Sequence, residues 1–381
     1  MSAHYDYFKQ ALAGESRWWS WIMVFWFVIL GWLMVQGVIS LPLLLSLQFS
    51  DPELFNQLVE MSMASAAEKN GTISDSYASI FQMSTVLGIL FWILNRFGTG
   101  TLKQVSGGLT GLTVGCSILM MILLAPSVFG DTESTELMSA MMASGPFAYI
   151  TFLLVFPASL IALYLGQKFI HKRSLLSLHT AAKKIRWSRG LQAFIITWIV
   201  LGSLTAVGHF SGLSPITTNF DAGRFAIYAV ISLIFLPLQS GTEEIVFRGY
   251  LNQWFSHFLK NKWIAFVITS ALFAAMHLSN PEATKGAEDG ILLLTMSSYF
   301  IFGFVACLMV WMDEGLESAI GFHAANNTFA AIFVNYEGSV LPTPSLFMAT
   351  PNTVIDVPTT LLATLLIAAI LYKTRKPLSV A

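Results

Sequence analysis

The sequence contains little charge and almost no cysteine. Asp, Glu, Lys and Arg make up 11% of the 381 residues, whereas a soluble domain usually has about 25%. A chain that lies mostly in water is therefore excluded, and the net charge of −1 gives no reason to expect nucleic acid as a partner. Both cysteines, Cys116 and Cys307, lie in apolar stretches, so we expect no disulfide framework and no cysteine-based metal site.

Long apolar runs take the place of charge, and hydrophobic residues make up 55% of the chain. A helix that crosses a bilayer needs about 17 to 25 mostly apolar residues. We therefore expect an all-α fold, a polytopic transmembrane helical bundle. The predicted spans number ten and lie near residues 18–45, 77–97, 106–129, 146–167, 190–211, 224–257, 262–280, 290–312, 316–335 and 356–372.

The positions of Lys and Arg predict the orientation, because these residues collect in cytoplasmic loops. With the N-terminus inside, three of the 20 basic residues, Lys69, Arg224 and Lys285, fall outside and the other 17 fall inside. Both termini are therefore expected to be cytoplasmic. The compact loops favour a multi-pass protein of the bacterial cytoplasmic (inner) membrane, with membrane lipids as its surroundings.

The longest basic connection, 168–189, separates an N-terminal four-span region, 1–167, from a C-terminal six-span region, 190–381. We expect this connection to lie on the inner membrane surface, where basic side chains attract anionic lipids. An acidic inner loop, 313–317, is expected to be a solvated turn, with attraction of a basic substrate tail as the alternative. The candidate catalytic core covers about 224–335.

Ionisable residues inside the apolar sequence of this core are the strongest functional signal. A charged group at membrane depth costs roughly 3 kcal/mol or more, so it marks a functional site by default. Glu244 and Arg248 are four residues apart, which predicts an ion pair on one helix face. Glu243 points about 100° away from Glu244 and is left free to face another helix.

His277 is predicted to lie at the same depth as Glu243. Both are 17 residues from Lys260, in the turn between two antiparallel spans, so a carboxylate and an imidazole can meet there. Phe273 lies one helical turn before His277, and its ring is expected to restrict the imidazole.

His323 and Asn327 are four residues apart on the ninth predicted span. They share a helix face, and the helical rise places them near the same level as Glu243 and His277. These four side chains are therefore expected to converge.

Two chemistries fit such a cluster. A buried carboxylate, with His277 orienting a water molecule, can act as a general base, while His323 and Asn327 donate hydrogen bonds to the oxyanion of an attacked carbonyl group. Alternatively, His277, His323 and Glu243 are the ligand types of a catalytic zinc ion with an open position. The residue types leave both schemes open. Four further histidines lie at span ends or in loops and are expected to have interfacial roles: His171, His179, His209 and His257.

Three fragments in this order, EEIVFR at 243–248, FAAMH at 273–277 and HAANN at 323–327, resemble the CPBP family of CAAX prenyl endopeptidases and bacteriocin-processing or self-immunity proteins. The resemblance implies a helical intramembrane endopeptidase in which Glu243 and His277 activate water and His323 and Asn327 stabilise the oxyanion. Glu244 and Arg248 would support the site. Family members have been described both as metalloproteases and as glutamate-dependent proteases, so zinc stays an open cofactor.

We therefore expect a membrane-embedded hydrolase that cleaves a peptide bond in a membrane-associated, lipid-modified or CAAX-like protein or peptide. A non-enzymatic immunity or scaffolding protein is the first alternative, because polar clusters also hold helices together. A proton-coupled transporter is the second, because intramembrane carboxylates and histidines also form proton relays. Transporters often have internal symmetry, and the sequence has none.

Overall fold

The computed structural model describes residues 7–68, 140–336 and 338–375, with side chains left undescribed for 61–68. The described chain is mainly helical, so the predicted all-α class is confirmed. Two predicted spans, 77–97 and 106–129, lie outside the described residues.

The described chain consists of long and short α-helices with three short β-strands. The α-helices are α1 (Trp18–Ser50), α2 (Pro52–Glu68), α3 (Pro146–Leu165), α4 (Trp187–Phe210), α5 (Ala222–Glu244), α6 (Asn252–Leu259), α7 (Lys262–Ala275), α8 (Pro281–Glu288), α9 (Leu292–Asp313), α10 (Glu317–Ile332) and α11 (Thr353–Thr374). The strands are β1 (Ile216–Thr218), β2 (Val334–Tyr336) and β3 (Phe347–Ala349), which form a small sheet in the order β1-β3-β2.

Six described helical segments are long and apolar enough to cross a membrane. They are Trp18–Ser50, Pro146–Ile170, Trp187–Phe210, Ala222–Leu259, Leu292–Asp313 and Thr353–Thr374. The predicted spans at 262–280 and 316–335 correspond to the shorter helices α7 and α10. Most α10 side chains are buried in protein, so this helix does not need to match the bilayer thickness.

The chain divides into two compact units. The first comprises 1–43 and 138–381 and contains all the candidate site residues, and the second comprises 44–137. Of the second unit, the described part is helical, formed by the end of α1 and by α2. The predicted boundaries at 167 and 189 stay a prediction.

Within the first unit, α10 is the central helix and packs against α4 and α5. Small residues allow this close approach. A Cβ atom at Gly321 of α10 would lie 2.1 Å from the carbonyl oxygen of Gly190 in α4, so a larger residue would push the two helices apart. Ala319, Ala324 and Ala325 on α10 are buried as well. α10 is therefore fixed closely against its neighbours.

The acidic loop at 313–317 is not a solvated turn, and this prediction was wrong. Asp313 forms two hydrogen bonds with Arg189, at 2.7 and 3.0 Å, and Glu317 forms two with the side chain of Arg186, at 3.0 and 2.7 Å. Both carboxylates are almost fully buried. Asp313 and Glu317 thus fasten the connector 168–189 to α9 and α10, and these two carboxylates are not available to a substrate.

His171 is also more than an interfacial residue. Its ring is fully buried, its Nδ1 lies 2.7 Å from the carbonyl oxygen of Glu15 and its Nε2 lies 3.1 Å from the hydroxyl of Tyr250. Burial, together with the charge of Arg173, lowers the pKa of His171 to about 4. Part of the predicted surface connector is therefore interior structure.

Candidate active site

The two glutamates lie where the regular α-helix gives way to a wider turn. α5 ends at Glu244 and a π-helix follows over Ile245–Leu251 before α6 continues the same long segment. Such π-helical turns are uncommon and often occur at functional sites. Here the turn carries Arg248, which places the guanidinium beside Glu244.

Glu244 accepts two hydrogen bonds on one oxygen. Arg248 Nη1 lies 3.0 Å from Glu244 Oε1, and His323 Nδ1 lies 2.7 Å from the same atom. The side chains of Glu244 and Arg248 are completely buried, and that of His323 is 4% exposed. The predicted ion pair is confirmed, and it also holds the imidazole of α10.

Arg248 lies against an aromatic ring. Its guanidinium carbon is 4.1 Å from the centre of the Phe273 ring, a cation–π contact. Gly303 of α9 makes this possible, because a Cβ atom there would lie 3.0 Å from Arg248 Nη2 and 3.4 Å from the Phe273 ring. The Nε and Nη2 atoms of Arg248 are buried without a hydrogen-bond partner among the described residues.

Glu243 has a different environment from Glu244. Its Oε1 accepts a hydrogen bond from the Gln239 amide, one helical turn earlier. Its Oε2 lies 3.8 Å from His323 Nε2 and has no hydrogen-bond partner within the described chain. Each glutamate thus has one oxygen without a hydrogen-bond partner among the described residues, but the side chain of Glu243 is 13% exposed whereas that of Glu244 is completely buried, so Glu243 is the more accessible carboxylate of the pair.

Asn327 joins α10 to the last turns of α5. Its amide nitrogen donates to Gln239 Oε1 at 3.1 Å and to Ser240 Oγ at 3.2 Å. Gln239 and Ser240 were not among the predicted site residues. The signal for Gln239 was its position four residues before Glu243, which is the spacing of a helical side-chain hydrogen bond.

His277 lies beyond the end of a helix, which differs from the prediction. α7 ends at Ala275 and a turn follows, in which the His277 amide donates to the Ala274 carbonyl at 2.9 Å. The His277 ring keeps the predicted contact with Phe273, at 4.6 Å between ring centres, and also stacks on Tyr299 at 4.3 Å.

The hydrogen bond of His277 determines which ring nitrogen is available. Nδ1 lies 2.7 Å from the carbonyl oxygen of Phe273. A carbonyl oxygen only accepts, so Nδ1 carries the hydrogen, and in the neutral ring Nε2 keeps its lone pair. No His277 nitrogen lies within 4.0 Å of a described glutamate oxygen, whereas His323 lies this close to both Glu243 and Glu244. The predicted meeting of Glu243 with His277 is therefore not a direct contact among the described residues.

The three residues predicted as zinc ligands, His277, His323 and Glu243, are not arranged as a zinc site. Over the residues that the structure describes, no three His, Cys, Asp or Glu side chains are grouped closely enough to hold a metal ion. Each histidine engages its Nδ1 atom in a hydrogen bond and leaves Nε2 as the nitrogen that a metal ion could use. Zinc binding stays a prediction.

The surroundings of the cluster are apolar and aromatic. Phe302 contacts the His323 ring at 4.9 Å between ring centres and stacks on Phe322 at 4.5 Å. Such walls exclude bulk water and strengthen the electrostatic interactions inside. The arrangement therefore combines one anchored carboxylate, one more accessible carboxylate, an imidazole with a free Nε2 and an amide donor.

Comparison with known proteins agrees with this site. Residues 222–329 match the model of the family described as type II CAAX prenyl endopeptidase Rce1-like, and this range includes all three motifs. An uncharacterized protein of Bacillus subtilis (strain 168), YyaK, is 30% identical over 239 residues, which are 61% of this chain and 76% of the relative. No solved structure matches the chain. The motifs, their assembly into one buried cluster and these similarities together show that the chain belongs to the type II CAAX prenyl endopeptidase Rce1-like family.

Proposed function

We propose that this multi-pass membrane protein is an intramembrane endopeptidase of the cytoplasmic membrane. Its substrate would be a membrane-associated protein or peptide with a lipid-modified, CAAX-like C-terminus. The family supports a CAAX-type protease in general. One observation carries the proposal further: Glu244 is completely buried and bound to Arg248 and His323, while the neighbouring Glu243 is 13% exposed and accepts its hydrogen bond from the neutral amide of Gln239.

In the proposed reaction Glu243 is the general base. Its carboxylate takes a proton from a water molecule while the water oxygen attacks the scissile carbonyl carbon. Nε2 of His277 accepts a hydrogen bond from the O–H group that the water keeps, and so orients the water. The proton on Glu243 then passes to the leaving amine, so that the carboxylate is regenerated and no covalent intermediate forms.

Asn327 and His323 would stabilise the oxyanion. The amide nitrogen of Asn327 can turn one of its hydrogens from Ser240 or Gln239 towards the developing charge. His323 already donates from Nδ1 to Glu244, so donation from Nε2 requires the doubly protonated ring. The carboxylates of Glu243 and Glu244 offset that additional charge.

The activity is tested with purified protein in liposomes and C-a-a-X reporter peptides, with and without a prenyl group. We expect wild type to release the C-terminal residues and His277→Ala and Glu243→Gln to release none above background. Glu288→Gln is the matched control, because Glu288 is exposed on α8, and it should cleave like wild type. Equal cleavage by wild type and Glu243→Gln would overturn the proposal.

Metal analysis of the same samples separates the two chemistries. Cleavage that persists after chelation, with no stoichiometric zinc in the protein, would support the carboxylate mechanism. Stoichiometric zinc, together with cleavage that chelators abolish and zinc restores, would replace it with the metalloprotease mechanism.

A further inference from the structure

A polar cluster beside His277 has no part in the proposed reaction. It comprises Asn280 and Glu282 at the start of α8, Tyr299 in α9 and Tyr336 in β2, and we call it the Glu282 cluster. Its members come from three separate parts of the chain. Glu282 accepts a hydrogen bond from the Tyr336 hydroxyl, and Asn280 donates to the Tyr299 hydroxyl at 3.1 Å.

Tyr299 is the member that touches the candidate site. Its ring stacks on the His277 imidazole with 4.3 Å between centres and 28° between planes. Because His277 lies in a turn after α7, helical geometry does not fix its side chain. The imidazole is instead held by Tyr299, by the Phe273 ring and by the Phe273 carbonyl oxygen.

Glu282 ties the start of α8 to the segment that follows α10. Its Oε1 accepts from the Tyr336 hydroxyl and, at 3.4 Å, from the Val340 amide. Burial raises the pKa of this carboxyl group, and the hydroxyls of Tyr336 and Tyr299 act on it in the opposite direction. The carboxyl group therefore lies among groups from β2, the following loop and α9.

The helix that carries Glu282 is itself held closely against α9. A Cβ atom at Gly286 of α8 would lie 2.5 Å from Thr295 Oγ1, so the Thr295 side chain fills the space that a larger residue at 286 would need. Tyr336 follows Asn327 by nine residues in the sequence. It lies in β2, which pairs with β3. The Glu282 cluster thus connects the turn that carries His277 with the end of the helix that carries His323 and Asn327.

We propose that Glu282 and Tyr299 are positioning residues: Tyr299 holds the His277 ring, and Glu282 fixes the turn of His277 against β2 and thereby against α10. This inference rests on the proposed function only in assigning catalytic importance to His277. The geometric part, that Glu282 controls the placement of the His277 ring without touching it, is testable without any substrate.

The kinetic test compares two substitutions of Glu282. Glu282→Ala removes the acceptor, and we expect kcat to fall about tenfold or more with KM little changed. Glu282→Gln keeps an acceptor oxygen for the Tyr336 hydroxyl, so it should retain most of the wild-type kcat, as should Glu288→Ala in the same helix. Equal losses in Glu282→Ala and Glu282→Gln, or a loss confined to KM, would overturn the positioning role.

The substrate-free test is NMR of protein labelled at histidine Cε1, with the His277 signal identified by its loss in His277→Gln. Glu282→Ala and Tyr336→Phe should shift or split this signal, while the signals of His209 and His257 stay in place. An unchanged His277 signal in both variants would overturn the inference. A signal that moves in a protein that cleaves nothing would support the positioning role and count against the proposed function.

Discussion

Two buried arginines, Arg189 in α4 and Arg248 in the π-helix, have opposite hydrogen-bonding environments. Arg189 binds Asp313 through Nε and Nη2 and also donates to the Leu371 carbonyl oxygen at 2.5 Å and to Gln192 at 2.8 Å. Arg248 donates to Glu244 through Nη1 alone, while Nε and Nη2 have no partner among the described residues. All three nitrogens of the Arg189 guanidinium donate hydrogen bonds, whereas one nitrogen of Arg248 does.

We interpret this as the difference between an ion pair that only stabilises the fold and one that belongs to the proposed reaction site. Buried charges are stabilising only when their hydrogen-bonding capacity is satisfied, and unsatisfied buried groups in native proteins are rare. The pair Arg189–Asp313 fastens the connector to the bundle. The group of Glu243, Glu244, Arg248 and His323 carries uncommitted polar atoms, which cost stability and are typical of sites where a reaction needs them.

Of the substitutions that test this difference, Glu243→Gln is expected to have the largest effect on cleavage. It removes the general base but keeps the volume and an oxygen that can accept from Gln239. We expect cleavage to fall about 10³-fold with little change in the melting temperature. Parallel measurements of reporter cleavage and thermal unfolding check this, and a variant that melts much lower would show that Glu243 is structural.

Asp313→Ala is expected to give the reverse result. It leaves the buried Arg189 without its carboxylate, which should lower the free energy of unfolding by about 3 kcal/mol, while kcat per folded molecule stays unchanged. Asp289→Ala is the matched control, because the pair Lys285–Asp289 is exposed and should contribute under about 1 kcal/mol. Denaturant unfolding measures both, and equal losses would erase the distinction between the two pairs.

Asn327→Ala is expected to lower kcat about 100-fold, the usual effect of removing one oxyanion donor. KM should change little, because the donor acts on charge that develops during the reaction. Steady-state kinetics over a range of substrate concentrations separates the two constants. A raised KM at constant kcat would assign Asn327 to substrate binding.

The buried His171 is expected to make the stability of the fold depend on pH. Its pKa is about 4 in the folded protein and 6.5 ordinarily, so the unfolded chain takes up the proton first as pH falls. Its contribution to stability is complete above about pH 6.5 and is lost as pH falls towards about 4. We expect His171→Asn to flatten the decline in unfolding free energy over this range by about 1 to 2 kcal/mol. Identical slopes for variant and wild type would contradict this role.

Local sequence patterns predicted the site well where one helix decides the geometry. The spacing of Glu244 and Arg248 gave an ion pair that the structure confirms, and the apolar runs gave the helical membrane fold. Patterns failed where chain segments end or where distant segments meet. The helical span expected through His277 ends at Ala275, and the turn expected in water at 313–317 is buried against Arg186 and Arg189.

The sequence by itself determined the helical class, most of the described spans and the side chains that share a helix face, because hydrophobicity and the 3.6-residue period act over a few neighbouring residues. Only the tertiary structure decided that His323, not His277, contacts both glutamates. It also decided that Asn327 binds Gln239 and Ser240. These contacts depend on how far one helix is rotated and pressed against another, and close approaches such as Gly321 to Gly190 set that distance.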